Sequence, residues 1–152
     1  GGADITPTDK ESLESKKISD YFHKELKKTC DNYKKGCYEK YKKWCDNYFY
    51  LPHRNESRGL GGIFYDQLKS KSWDSDMEFT QNVGKTFLRS YRKIVNGTIN
   101  DSWTKKDKIL QYHRRSRYAE FNLLYDRGTK FGLETNGNID AIFMSLPPLT
   151  SW

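Results

Sequence analysis

Residues 118–134 read Tyr118-Ala119-Glu120-Phe121-Asn122-Leu123-Leu124-Tyr125-Asp126-Arg127-Gly128-Thr129-Lys130-Phe131-Gly132-Leu133-Glu134, and the fold class turns on their period. Ala119, Phe121, Leu123 and Tyr125 alternate with Tyr118, Glu120, Asn122 and Leu124. A period of two predicts a strand, with Tyr118, Glu120 and Asn122 on a polar face that can line a pocket. Asp126-Arg127-Gly128-Thr129 predicts a tight turn, and Lys130–Glu134 a second strand carrying Phe131 and Leu133. Asn136-Gly137 is a type I′ hairpin signal, and Ile139–Leu146 supplies a third strand that Pro147-Pro148 stops.

Upstream the apolar period is 3.6. Tyr21, Phe22, Leu26, Cys30 and Tyr33 mark a helix from Ser19, closed by Gly36. Cys37, Tyr38, Tyr41, Trp44, Cys45 and Tyr48 form the stripe of a second helix, opposed by Lys40, Lys42, Lys43 and Asp46 and ended by Pro52. Phe79, Val83, Phe87, Tyr91 and Ile94 predict the longest helix over Ser75–Val95, stopped by Asn96-Gly97, and a further helix runs over Thr104–Arg115. Thr8–Lys17 has Leu13 as its one apolar side chain and is expected to be an exposed loop. Gly59, Gly61 and Gly62 stand before Ile63-Phe64-Tyr65, which predicts a strand whose start needs unusual dihedrals or close backbone approach. Helices first and an antiparallel meander last make the class α+β.

The chain has 152 residues, enough for one domain, and a formal net charge of +7. Mean hydropathy is -0.97, yet 15% of residues are aromatic, which supplies a core and excludes wholesale disorder. No window approaches the roughly 20 apolar residues of a membrane span, and the first residues show no signal or transit pattern. Cys30, Cys37 and Cys45 form no C-x-x-C pair and are expected to be reduced, structural and intracellular. The sequons at Asn55, Asn96 and Asn100 are short matches in a chain rich in Lys and Asn and carry no weight against that.

Two basic clusters could carry chemistry. His53–Gly62 sets two guanidinia, an imidazole and a carboxylate beside three glycines, which suits an anionic ligand or, equally, a solvated turn leading into a strand. Its spacing is not that of a nucleotide fingerprint. Arg114-Arg115-Ser116-Arg117 runs into the strand of Glu120 and Asn122. His23, His53 and His113 are too scattered for a zinc site, and no nucleophile elbow is present. Basic charge among aromatics also fits a nucleic-acid-binding module, although most lysines sit on the outer faces of the helices.

Four runs carry a resemblance: Tyr41-Lys42-Lys43-Trp44-Cys45-Asp46, His53–Asp66, Arg117–Leu133 and Met144-Ser145-Leu146-Pro147. They resemble the oxygen-dependent coproporphyrinogen III oxidases, and Gly1-Gly2-Ala3-Asp4-Ile5-Thr6-Pro7 is similar to that family's glycine-rich segment ending in Asp-Leu-Thr-Pro. The resemblance implies that residues 1–152 are the C-terminal portion of a single catalytic domain, inactive and poorly soluble alone. It implies an antiparallel β-sheet flanked by helices on both faces and a homodimer formed through residues 120–144. The implied reaction is oxidative decarboxylation of two propionates of coproporphyrinogen III to vinyl groups, giving protoporphyrinogen IX. Dioxygen is the oxidant and co-substrate, and no metal or organic cofactor is implied.

By the same resemblance Asp4 is the catalytic carboxylate facing the pyrrole nitrogens, and Arg58 and Arg127 are basic residues near the pocket that bind propionates. Asn136, Gly137 and Asn138 stand at a substrate-contacting turn that in the family reads Gly-Gly-Arg, so Asn138 removes a guanidinium. Ser116 likewise replaces a glycine between Arg115 and Arg117. Metal binding through His23 and His53, proposed for some bacterial members, is not carried over. The expected location is the cytoplasm, with mitochondrion and plastid as the family's other compartments.

Overall fold

Ser12, with its side chain accepting from the Ser15 N–H, opens the first helix earlier than the apolar pattern does. Leu13 and its charged neighbours belong to that first turn, so the loop expected over Thr8–Lys17 gives way to helix from Leu13. The turn is polar because it faces water: Leu13 is 76% exposed. A computed structural model of the chain describes residues 1–70 and 72–152. Its elements run β1 (Gly2–Asp4), α1 (Leu13–Tyr33), α2 (Cys37–Tyr48), β2 (Tyr50–Leu51), β3 (Glu56–Ser57), β4 (Gly62–Phe64), α3 (Trp73–Thr98), α4 (Lys105–Leu124), α5 (Arg127–Glu134) and α6 (Ile139–Ile142).

The 3.6-residue stripes read from the sequence are largely the buried faces, except that Phe87 and Tyr91 of the third are 36 and 48% exposed. Phe22, Leu26 and Cys30 of α1, Cys37, Tyr38 and Tyr41 of α2, and Phe79 and Val83 of α3 close on Ile5, Ile63 and Tyr65. Tyr33 stacks on Phe79 at 4.2 Å between ring centroids, and Tyr41 and Tyr65 tilt against the same ring. Helix α3 runs past Asn96-Gly97 to Thr98, with Ser72 as its N-cap.

The strand expected after the glycines forms. β4 pairs antiparallel with β1, with Asp4 opposite Gly62 and Ala3 opposite Ile63. A Cβ on Gly62 would run into the Ala3 carbonyl, and Gly61 has φ 76. Both reasons anticipated for the glycines, a left-handed dihedral and a close backbone approach, therefore hold. β2 pairs with β3 in a second two-stranded antiparallel sheet.

The last third departs from the expectation. Tyr118–Tyr125 is not a strand: Tyr118–Leu124 continues α4, with Tyr125 as its C-cap, and Thr104 and Asp107 start that helix with a capping box. Lys130–Glu134 lies in α5, and Ile139–Leu146 contains the single-turn helix α6 followed by irregular chain. The helical stripe was hidden because its buried members include Ser116 and Arg117, which apolar counting ignores, beside Ala119 and Phe121. Asn136 does take a left-handed conformation, φ 55, as a hairpin turn would need. Here it ends α5, and the Gly137 N–H reaches back to the Gly132 carbonyl at 2.8 Å. The described residues are 60% helical with two small antiparallel sheets, so the α+β class holds while the meander does not exist. No helix among the described residues is long and apolar enough to cross a membrane.

Candidate active site

Pairing with the glycine run sets Asp4 at the end of β1. Arg58, one residue beyond β3, is fixed there by its own N–H to the Phe49 carbonyl at 3.0 Å. Its guanidinium lies 3.9 Å above the Phe49 ring, with the Phe121 and Tyr118 rings at 5.2 and 5.5 Å. From that aromatic seat Nη2 donates to the Asp4 carboxylate. The arginine side chain is 8% exposed and the carboxylate 28%, so the pair is buried from the arginine side and open from the aspartate side. Arg58 Nε is buried with no acceptor among the described residues. A buried donor left so is a group that a ligand or another segment satisfies.

Asp4 opens onto a cleft of about 520 Å³, walled by Cys45, Asp46, Phe49, Glu56 and Gly59–Gly61, with Lys10 and Lys42 on its lining. Lys42 pairs with Asp46 at 2.5 Å and Lys10 with Glu56 at 3.3 Å, so the cleft carries both signs of charge. Gly61 belongs to this wall for a second reason: a Cβ there would stand 2.5 Å from Asp46 Oδ1. Lys42 and Asp46 are site residues that sequence reasoning passed over. Their i, i+4 spacing was visible, but on the polar face of α2 it reads as an ordinary solvated pair.

Arg127 is the first residue of α5. Its guanidinium lies 5.0 Å from the Tyr48 ring centroid, and its N–H donates to Tyr48 Oη at 3.2 Å. Tyr48 also donates to Asp126 Oδ1 at 2.9 Å. Burial raises the Asp126 pKa, but hydrogen bonds from Thr129 and Tyr48 and the nearby Arg58 charge bring it below the ordinary value. The Arg58 charge that pairs with Asp4 is thus also felt at Asp126, the N-cap of α5. Asn136, Gly137 and Asn138 are not part of this group. They form the turn between α5 and α6, where Asn138 Oδ1 caps α6 by accepting from Asp140 and Ala141.

The basic segment His53–Arg58 is largely committed to internal carboxylates. Glu120 accepts from Arg54 and Trp152 and shares a 2.7 Å hydrogen bond with His53 Nε2. Arg54 above all, then His53, holds Glu120 down to about 2 against the opposing effect of burial. Glu56 takes Arg117 at 2.9 Å and Arg114 at 3.2 Å besides Lys10. The polar strand face drawn through Tyr118, Glu120 and Asn122 is thus replaced by helix contacts; Asn122 Nδ2 donates to the Tyr118 carbonyl one turn back. His23 uses Nε2 on the Leu60 carbonyl and Nδ1 on Tyr38, and His53 Nδ1 meets Tyr125. Among the described residues no cluster of three or more His, Cys, Asp or Glu is placed to hold a metal.

A carboxylate open to a cleft and held by a buried guanidinium can accept hydrogen bonds or a proton from a polar group in that cleft. The comparisons specify the family. A sequence model of coproporphyrinogen III oxidase matches residues 1–152, and the chain belongs to that family. The oxygen-dependent coproporphyrinogen-III oxidase of Rickettsia bellii is 54% identical over 152 residues, covering all of this chain and 53% of the relative. That of Rickettsia akari is 54% identical over 148 residues, 97% of this chain and 52% of the relative. The chain therefore spans about half the length of the curated relatives it matches.

Proposed function

We propose that the chain forms part of an oxygen-dependent coproporphyrinogen III oxidase, converting two propionates of coproporphyrinogen III to vinyl groups. Each propionate loses carbon dioxide and two electrons with their protons pass to dioxygen, giving hydrogen peroxide. The observation that carries the reading is the Asp4–Arg58 pair at the cleft, in a chain matched along its whole length by the family.

Asp4 accepts from the pyrrole N–H groups and helps remove a proton, raising electron density in the ring for attack by dioxygen. Arg58 holds the Asp4 carboxylate in line. Lys10 and Lys42 on the cleft lining supply positive charge for a tetra-anionic substrate, and Arg127, at the start of α5, binds a propionate. Asn136, Gly137 and Asn138 contact the substrate at the turn where the family has a guanidinium.

The reading extends to the surroundings of the site. Dioxygen is the co-substrate, with no metal or organic cofactor. The enzyme works in the cytoplasm, as its bacterial relatives suggest. β1 and β4 belong to a wider antiparallel sheet with helices on both faces. A homodimer forms through residues 120–144, where Leu123, Phe131, Leu133 and Met144 are exposed. Nothing in the fold or the comparisons favours a nucleic-acid-binding module.

The test uses the full-length protein. Asp4→Asn keeps the shape and removes the base, so dioxygen consumption with coproporphyrinogen III should fall by about 100-fold or more in kcat with little change in KM. Near-normal turnover in that variant rejects Asp4 as the catalytic carboxylate. A wild-type protein that leaves coproporphyrinogen III unchanged rejects the reaction itself.

A further inference from the structure

Helix α3 carries two apolar stripes. Phe79, Val83, Thr86 and Ser90 are its buried face. Away from that face, at about 100° per residue, lie Trp73, Met77, Leu88 and Tyr91, with Ile99 as the C-cap beyond them, exposed by 72, 39, 68, 48 and 68%. Along one flank of this second stripe the charge is of one sign. From Phe79 to Thr98 the helix has Lys85, Arg89, Arg92 and Lys93 and no carboxylate. The acidic residues, Asp74, Asp76 and Glu78, are confined to its beginning.

Lys85, Leu88, Arg89, Arg92, Lys93 and Asn96 line a shallow open depression of about 510 Å³. Glu25 of α1 pairs with Arg89 at 3.0 Å, and Lys93 lies 4.4 Å from the Tyr21 ring. Among the described residues Lys85, Arg92 and Lys93 take part in no ion pair.

We propose that the outer face of α3 is a docking surface for an anionic lipid bilayer. A helix lying in the plane of a membrane needs large apolar side chains on one face and Lys/Arg beside them, so that the first enter the acyl boundary while the second meet lipid phosphates. Leu88, Tyr91 and Ile99 supply the apolar part, and Lys85, Arg89 and Arg92 the cationic part. The aliphatic share of the stripe decides between partners. A nucleic acid would pair with the cations and stack on Tyr91, but it leaves Leu88 and Ile99 in water, whereas a bilayer takes both. The binding is independent of the reaction proposed for the Asp4 cleft.

The test is co-sedimentation of the full-length protein with vesicles of phosphatidylcholine alone and of phosphatidylcholine with phosphatidylglycerol. Binding is expected to the anionic vesicles only and to weaken as salt rises. At about five-fold per positive charge at the surface, the double variant Lys85→Gln/Arg92→Gln should bind roughly 25-fold more weakly. Leu88→Ser should weaken binding several-fold while leaving the salt dependence as it was. These side chains are exposed, so both variants should keep the wild-type circular dichroism and turnover. Absence of vesicle binding, equal binding to neutral vesicles, or unchanged binding in both variants overturns the proposal. So does RNA binding that competes off the vesicles, which would assign the face to a polyanion. Loss of a dimer in Leu88→Ser would assign it to a second copy of the chain.

Discussion

Ile5, Phe22, Leu26, Ile63, Phe79 and Val83 belong to a continuous apolar core contributed by the first 83 residues, whereas α4–α6 add only Ala119 and Phe121 to the buried apolar side chains. The later region is attached by the Phe121 ring, which packs on Tyr48 and Phe49, and otherwise by polar contacts. Glu56 gathers Lys10, Arg114 and Arg117; Glu120 gathers His53, Arg54 and Trp152; Asp126 takes Tyr48. Two halves of one chain thus rest on different forces. The body should resist salt and acid, and the C-terminal arm should respond to both. The Asp4–Arg58 pair lies at their junction, since Phe49 comes from the body and Tyr118 and Phe121 from the arm.

The contrast can be broken most forcefully from the body. Phe79 is 2% exposed and stacked on Tyr33, so Phe79→Ala should cost about 3–5 kcal/mol in denaturant unfolding of the full-length protein. Phe131→Ser, at a ring 68% exposed, should leave the unfolding of the monomer unchanged. Equal costs for the two would mean that the arm carries a core of its own.

Removing the charge at Glu56 strikes the arm. Glu56→Gln leaves Arg117, with 10% of its side chain exposed, beside Arg114 and Lys10 without a counter-ion. The expected cost is about 2 kcal/mol, below that of a fully buried pair because 23% of the Glu56 side chain stays exposed. Amide exchange should accelerate over residues 105–134 and not over α1; uniform acceleration would show one cooperative unit.

Acid sharpens the same division. Glu120 is held at about 2 against an ordinary 4.5, and Glu56 lies below its ordinary value as well, hydrogen bonds from Arg117 and Lys10 outweighing its burial. Depressed carboxylates mean that the attached arm binds fewer protons than the loosened one. Their contribution is complete above about pH 4.5 and disappears as the pH falls towards about 2. Exchange protection in α4 should drop through that window before protection in α1 does. Loss of both at one pH would contradict the division.

The smallest effect belongs to the body's surface. Lys27 pairs with Asp31 and Glu39 at exposed positions, so Lys27→Gln should leave the melting temperature within measurement scatter.

This division also explains what the sequence disclosed. Where apolar residues do the packing, their spacing is the signal, and α1, α2, α3 and β4 were readable from Phe22, Tyr41, Phe79 and Ile63. Where Ser116 and Arg117 are the buried residues, polarity conceals the buried face, and Tyr118–Tyr125 could pass for a strand. Asn136-Gly137 misled because a left-handed residue closes a helix as readily as it turns a hairpin. The candidate site shows the same limit. Asp4 and Arg58 were nameable from motif resemblance, but their pairing spans 54 positions and has no local trace. Asn138 was named by resemblance alone, and its capping of α6 has no trace in that motif.

The fate of one sulfur atom follows from the cleft. Cys45 lines it with no exposed surface, and burial, then the Asp4 charge, push its pKa up to about 12. At neutral pH such a thiol stays protonated, and peroxide reacts with thiolates. Cys45 is therefore poorly reactive towards peroxide although it lines the cleft.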